Sequence, residues 1–197
     1  MSESDGPTVK VIRAKYEETD FLINRAQSSS SIFASGLHNV SSSYRYVKAF
    51  IEVDGKNYIL FDLDLYLSDT FRVARVGTAQ LAVISELGLF SEKTAEFLRN
   101  DFISEFESTA EARNDEGETI HPDVDHIAFL IASNAAVKQM ELIELAAHPP
   151  TIQTHLMNRG VMATGFGDRG ILYLIDLERL IDSKELLYTE NEAEEYS

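Results

Sequence analysis

The feature that most constrains this chain is an internal repeat. Residues 47–69 align over residues 161–183 at a constant offset and without a gap. Val47 meets Val161, Ala49 meets Ala163, Asp54 meets Asp168, Leu60 meets Leu174, Asp62 meets Asp176 and Leu63 meets Leu177. Those six identities compare with roughly two expected from ordinary composition. Asp64 meets Glu178, so the acid pair is kept as well. The shared pattern is strand, turn, apolar strand, then Asp-Leu-acid. Two related strand units are therefore expected, at about 44–69 and 161–183.

Each unit has local reasons to fold this way. In "YVKAFIEVDGKNYILFDL", Val47, Ala49, Ile51 and Val53 alternate with Lys48, Phe50 and Glu52, which predicts a strand with one buried face. Asp54-Gly55 signals a tight turn, because glycine takes positive φ without steric cost. Tyr58 to Phe61 form the return strand. Strand alternation places Glu52, Asp54 and Lys56 together on the solvent side of that turn.

Between the units the chain offers one clear helix. "SEKTAEFLRNDFISEFESTAEA" spaces Leu98, Phe102 and Phe106 four residues apart on one face. Ser91 can cap it, and Phe90 with Ala95 makes a weak staple. This predicts a helix over 91–112, within a helical insertion near 90–113. "VKVIRAKY" suggests a strand or short amphipathic piece, "FRVARVGTAQLAVISEL" more strand, and "HIAFLIA" a buried strand. "AAVKQMELIELA" fits strand or helix. The serine-rich run "AQSSSSIFASGLHNVSSS" reads as a surface loop. Residues 1–8 are expected to be disordered, and 188–197 to form a solvated acidic tail around a single domain at 9–187.

Composition narrows the partners. The formal charge is −16, which disfavours nucleic acid and anionic lipid and suits a basic protein surface. There is no cysteine, so disulfides and cysteine-rich zinc sites are excluded. The polar start "MSESDGPTVK" and the short apolar windows predict a cytoplasmic protein without membrane insertion.

Two constellations invite chemistry. "YILFDLDLYLSDT" resembles the first motif of haloacid dehalogenase-like phosphatases, in which Asp62 would attack phosphorus and Asp64 would be general acid and base. That family places a small residue and a threonine after the second Asp; here Leu65 and Tyr66 stand there. A phosphatase needs its nucleophile once, whereas an acid that ends a strand can recur in each unit. Asp62 and Asp176 are thus expected to be structural caps, accepting from exposed N–H groups of the following turn. "HPDVDH" offers His121, Asp123, Asp125 and His126 as ligand types without a spaced set to complete a site. His148 and His155 flank "PPTIQT" without fixed geometry. The expectation is a solvated loop, with no catalytic residue, cofactor, metal or small-molecule ligand.

The repeat also resembles a family. "AFIEVDGKNYILFDL" aligns without a gap on the signature hairpin of CheW-like domains, the coupling proteins of bacterial chemotaxis, which runs Gly-Val-Ile-Asn-Leu-Arg-Gly-Lys, several apolar residues, then Asp-Leu. Ile51, Gly55, Lys56, Asp62 and Leu63 match it. "VMATGFGDRGILYLIDLERLID" resembles the family's closing segment through Asp168, Ile171 to Ile175, Asp176-Leu177 and Leu180-Ile181. "VKQMELIELAAHPPTI" resembles the strand and proline-containing connection before it. The resemblance covers about 44–69 and 126–187. It implies a mostly β fold of two small intertwined β-barrels with an inserted helix. It implies an adaptor without catalysis or cofactor, tying a histidine kinase to a chemoreceptor. Asp54 stands where the family has arginine, Ile59 where it has proline, and residues 70–122 have no place on the pattern. A protein contact through Glu52, Asp54 and Lys56 would therefore meet a different or compensated partner. The alternatives are the phosphatase and an acidic protein for a basic groove.

Overall fold

The computed structural model describes residues 8–74, 80–113, 117, 119–132, 136–141, 145–146, 150–167 and 170–187. The first seven residues, the acidic tail at 188–197, and Asp168 and His148 lie outside the described residues.

Fourteen strands form two sheets among these residues. The chain starts in the first with β1 (Thr8–Lys15) and β2 (Thr19–Asn24). It crosses to the second for β3 (Ser30–Phe33), β4 (Leu37–Ser41), β5 (Val47–Val53), β6 (Lys56–Phe61), β7 (Gln80–Ser85), β8 (Glu111–Arg113), β9 (Thr119–Ile120) and β10 (His126–Ala132). It returns to the first for β11 (Ala136–Glu141), β12 (Leu145–Ala146), β13 (Val161–Gly167) and β14 (Gly170–Ile175). The six-stranded sheet has the order β11-β1-β2-β14-β13-β12, and the eight-stranded sheet the order β3-β7-β10-β6-β5-β4-β8-β9. Because the chain leaves and re-enters the first sheet, the two are intertwined. The pairings among described residues leave each sheet open rather than closed into a ring.

The repeated units occupy one sheet each. In each, an antiparallel hairpin runs into a helix: β5–β6 into α1 (Leu63–Phe71), and β13–β14 into α5 (Leu177–Asp182). The register shifts at the same place, between Val47 and Ala49 and between Val161 and Ala163. The return strand of each pairs parallel with a further strand, β6 with β10 and β14 with β2. Even one hydrogen bond recurs: the Asp62 N–H donates to the Tyr46 carbonyl at 2.7 Å, and the Asp176 N–H to the Gly160 carbonyl at 2.8 Å.

The shift at Lys48 corrects the expected single buried face. The irregularity reverses the alternation, so Val47 and Phe50 join the main core while Ala49 and Ile51 join a second cluster with Tyr58, Leu60, Ala128 and Leu130. Both faces of β10 and β6, in the middle of the eight-stranded sheet, are buried, in keeping with their near-continuous apolar runs.

The inserted helix is shorter than 91–112 and not uniform. It comprises α2 (Glu92–Phe97), a π-helical segment Leu98–Ile103 and α3 (Ser104–Thr109), and the chain then becomes β8. Ser91 caps it, accepting from the Thr94 N–H. Leu98, Phe102 and Phe106 are buried, and Phe102 stacks on Phe61 at 5.2 Å between ring centres. The helix thus plugs the main core where the first unit ends. The serine-rich run is also corrected: it holds β3 and β4. A ladder needs backbone N–H and C=O groups, and these serines supply them at the margin of a sheet. A final helix, α4 (Pro150–Asn158), leads into β13.

Candidate protein-binding surfaces

The first hairpin turns at Asp54 and Gly55, whose φ values are 53° and 74°. Two positive values are what a two-residue hairpin turn of the primed type requires. Glu52 faces Asn57 across the strands, and Val53 faces Lys56. Glu52, Asp54 and Lys56 are all exposed. The Asn57 side-chain N–H donates to the Asp123 carbonyl at 2.9 Å, tying the turn to the loop before β10. Behind it the Tyr58 ring lies 4.9 Å from the His126 ring. The Tyr58 hydroxyl is held above its ordinary pKa by burial, then by the negative charges of Glu86, Asp125 and Asp54. Glu52 and Asp54 thus put two exposed negative charges on a turn that carries one lysine, and Glu86 and Asp125 lie close enough to act on the Tyr58 hydroxyl behind it.

The strand-end acids have different surroundings. Asp62 sits at the N-cap of α1, and its Oδ1 accepts from the Leu65 N–H at 2.9 Å. Asp176 sits at the N-cap of α5, and its Oδ1 accepts from the Arg179 N–H at 3.2 Å and from the Gln27 amide at 2.7 Å. Gln27 completes the bridge by accepting from the Leu177 N–H at 3.0 Å. Asp64 is buried, and its two oxygens accept from the Tyr16 hydroxyl at 2.6 Å and the Gln80 amide at 2.8 Å. An acid committed in this way to two side chains joins α1 to β7 and to Tyr16, just past the end of β1. Its counterpart Glu178 accepts from the Ser91 N–H at 3.0 Å and the Thr94 hydroxyl at 2.9 Å, joining α5 to α2. Burial raises the Glu178 carboxyl, but the hydrogen bonds from Ser91 and Thr94 outweigh it and hold the group below its usual range.

The "HPDVDH" residues disperse. His121 Nδ1 meets the Ala110 carbonyl at 3.0 Å, while His126 Nε2 meets Asp125 at 3.2 Å. Asp123 is exposed. No group of three or more His, Asp or Glu side chains among the described residues is placed to share a metal ion. His155 is exposed on α4.

No family model matches the chain, and no curated protein matches it. Among solved structures, the scaffolding protein TtCheW from Thermoanaerobacter tengcongensis superimposes with a TM-score of 0.53 over 90% of this chain and 90% of that one, at 13% identity. The fold is that of a CheW-like domain. At that identity the likeness is one of fold, and the residues on the surface are this chain's own.

The second hairpin carries a feature that the motifs did not single out. Phe166 is 87% exposed and pairs directly across the strands with Ile171, itself 38% exposed. The repeat offset held the signal: Phe166 occupies the place of Glu52, and Ile171 that of Asn57.

Proposed function

We propose that this chain is a non-enzymatic, cytoplasmic adaptor that couples signalling proteins, of the kind that connect a histidine kinase to a chemoreceptor. The observation that carries this reading is the fold, shared over 90% of both chains with a protein described as a scaffold. No helix among the described residues is long and apolar enough to cross a membrane.

The docking point we assign is the first hairpin turn, through Glu52, Asp54 and Lys56. Its excess of negative charge, reinforced by Glu86 and Asp125, suits a basic partner surface. Such complementarity acts mainly on association rate and specificity. Asp54 in place of the family's arginine implies a partner whose surface has changed to match. An acidic protein occupying a basic groove outside chemotaxis is the second reading, favoured by the charge of −16. The phosphatase reading draws no support from Asp62 and Asp64, which serve as cap and joint.

The test is a binding titration of the purified chain against the kinase regulatory domains and receptor cytoplasmic fragments encoded in the same genome. Saturable binding to either supports the adaptor. Magnesium-dependent phosphatase turnover that vanishes in Asp62→Asn, with stability intact, would overturn it.

A further inference from the structure

We propose that the exposed Phe166–Ile171 pair at the outer end of strands β13 and β14 is a second docking point, for a partner segment that presents an apolar side chain flanked by Lys or Arg. This rests on the adaptor reading and adds a second contact to it. Phe166 and Ile171 lie side by side, and the same face continues inward through the Thr164–Tyr173 pair. Tyr173 packs on Phe21 at 5.7 Å and on Phe71 at 5.0 Å between ring centres. The exposed pair is therefore the outer end of an aromatic row that begins in the main core.

The exposure is built into the hairpin. A Cβ on Gly170 would sit 2.0 Å from the Glu18 carbonyl oxygen, and one on Gly167 would sit 2.9 Å from Leu172 Cδ2. The start of β14 is thus seated tightly on the connection between β1 and β2, and the end of β13 on Leu172 of β14, so Phe166 stands on a supported backbone. Nor does the frame require an aromatic residue there, since the equivalent place in the first hairpin holds Glu52. An exposed aromatic ring next to a second apolar side chain, on a chain otherwise rich in charge, marks a contact surface.

The charge beside the ledge selects the occupant. Glu17 and Glu18, both exposed, lie on the connection against which Gly170 packs. Arg13, which reaches toward Gly167, is neutralised by its ion pair with Asp20. The connection that packs on Gly170, next to Ile171, thus carries two exposed acids, Glu17 and Glu18, and basic flanks complement them.

The experiment compares wild type, Phe166→Ser and the double variant Glu17→Lys/Glu18→Lys in titrations against the same kinase and receptor fragments, at two salt concentrations. Circular dichroism checks that each variant folds, which the exposure of all three residues favours. The inference expects Phe166→Ser to weaken binding to one fragment at least tenfold at both salt concentrations. It expects the double lysine variant to weaken the same complex only at low salt. Unchanged binding by Phe166→Ser to a fragment that wild type binds would overturn the inference and leave the adaptor reading standing. Failure of wild type to bind any fragment would overturn the adaptor reading and this contact with it. Concentration-dependent dimers abolished by Phe166→Ser would assign the ledge to a second copy instead, overturning the proposed occupant.

Discussion

The two hairpin units share a backbone and differ at their tips. Both shift register after the same valine, both return a hydrogen bond from the strand-end Asp to the residue preceding the hairpin, and both end in a capped helix. At the tip, Glu52 opposite Asn57 in one is Phe166 opposite Ile171 in the other. Backbone geometry fixes the frame, through the bulge, the cap and the parallel neighbour. Side chains beyond the last core row are released from that constraint, and there the units have become an acidic turn and an apolar ledge. One frame thus supplies two chemically distinct surfaces, as the proposed adaptor role would require.

The largest expected effect comes from separating the first unit from the helix that packs against its aromatic residues. Phe102 is buried against Phe61, Tyr44 and Phe106. Phe102→Ala should cost about 3–5 kcal/mol in denaturant unfolding, the usual loss for a fully buried aromatic side chain. A loss under about 1 kcal/mol would mean that the helix is not part of the core, against the range such truncations normally give.

The caps sharpen the likeness. Asp62→Ala and Asp176→Ala should each cost about 0.5–2 kcal/mol. Asp176 is expected at the upper end, because its loss also strands the Gln27 bridge to α5. Equal stability of both variants with wild type, by thermal or chemical unfolding, would remove the caps from the account.

The smallest effect lies in the second acid of the second unit. Glu178 is held below its ordinary pKa in the folded protein. A depressed carboxyl contributes stability that is fully present above the unfolded value, near 4.3, and is lost as pH falls through the lower folded value. Unfolding midpoints should therefore drop on acidification below about pH 4.3 more steeply for wild type than for Glu178→Gln. Parallel curves would show that the Ser91 and Thr94 contacts carry no such linkage.

How much was legible follows from the same contrast. The hairpins, the caps and the apolar face of the helix were legible because they rest on local chemistry: Asp-Gly in a turn, Asp before a helix, aromatic residues four apart. Whether β5 buried one face or both was not, since the bulge at Lys48 depends on pairing with β6 and the second face is covered by distant strands. β3 and β4 were hidden because backbone pairing leaves no side-chain pattern in a serine run. "AAVKQME" admitted strand or helix until β1 paired with it. Glu52, Asp54 and Lys56 were placed together by alternation alone, and all are exposed. The ledge at Phe166 was missed because motifs draw attention to polar residues, while its signal was an apolar residue at the repeat position of an acid.

The most direct test is stopped-flow association of wild type, Asp54→Arg and Phe166→Ser with the bound kinase or receptor fragment across a salt series. The account predicts that Asp54→Arg slows association and flattens its salt dependence, whereas Phe166→Ser leaves association nearly unchanged and speeds dissociation. Association by Asp54→Arg as fast and as salt-dependent as wild type would contradict the proposal that the acidic hairpin turn is a docking point.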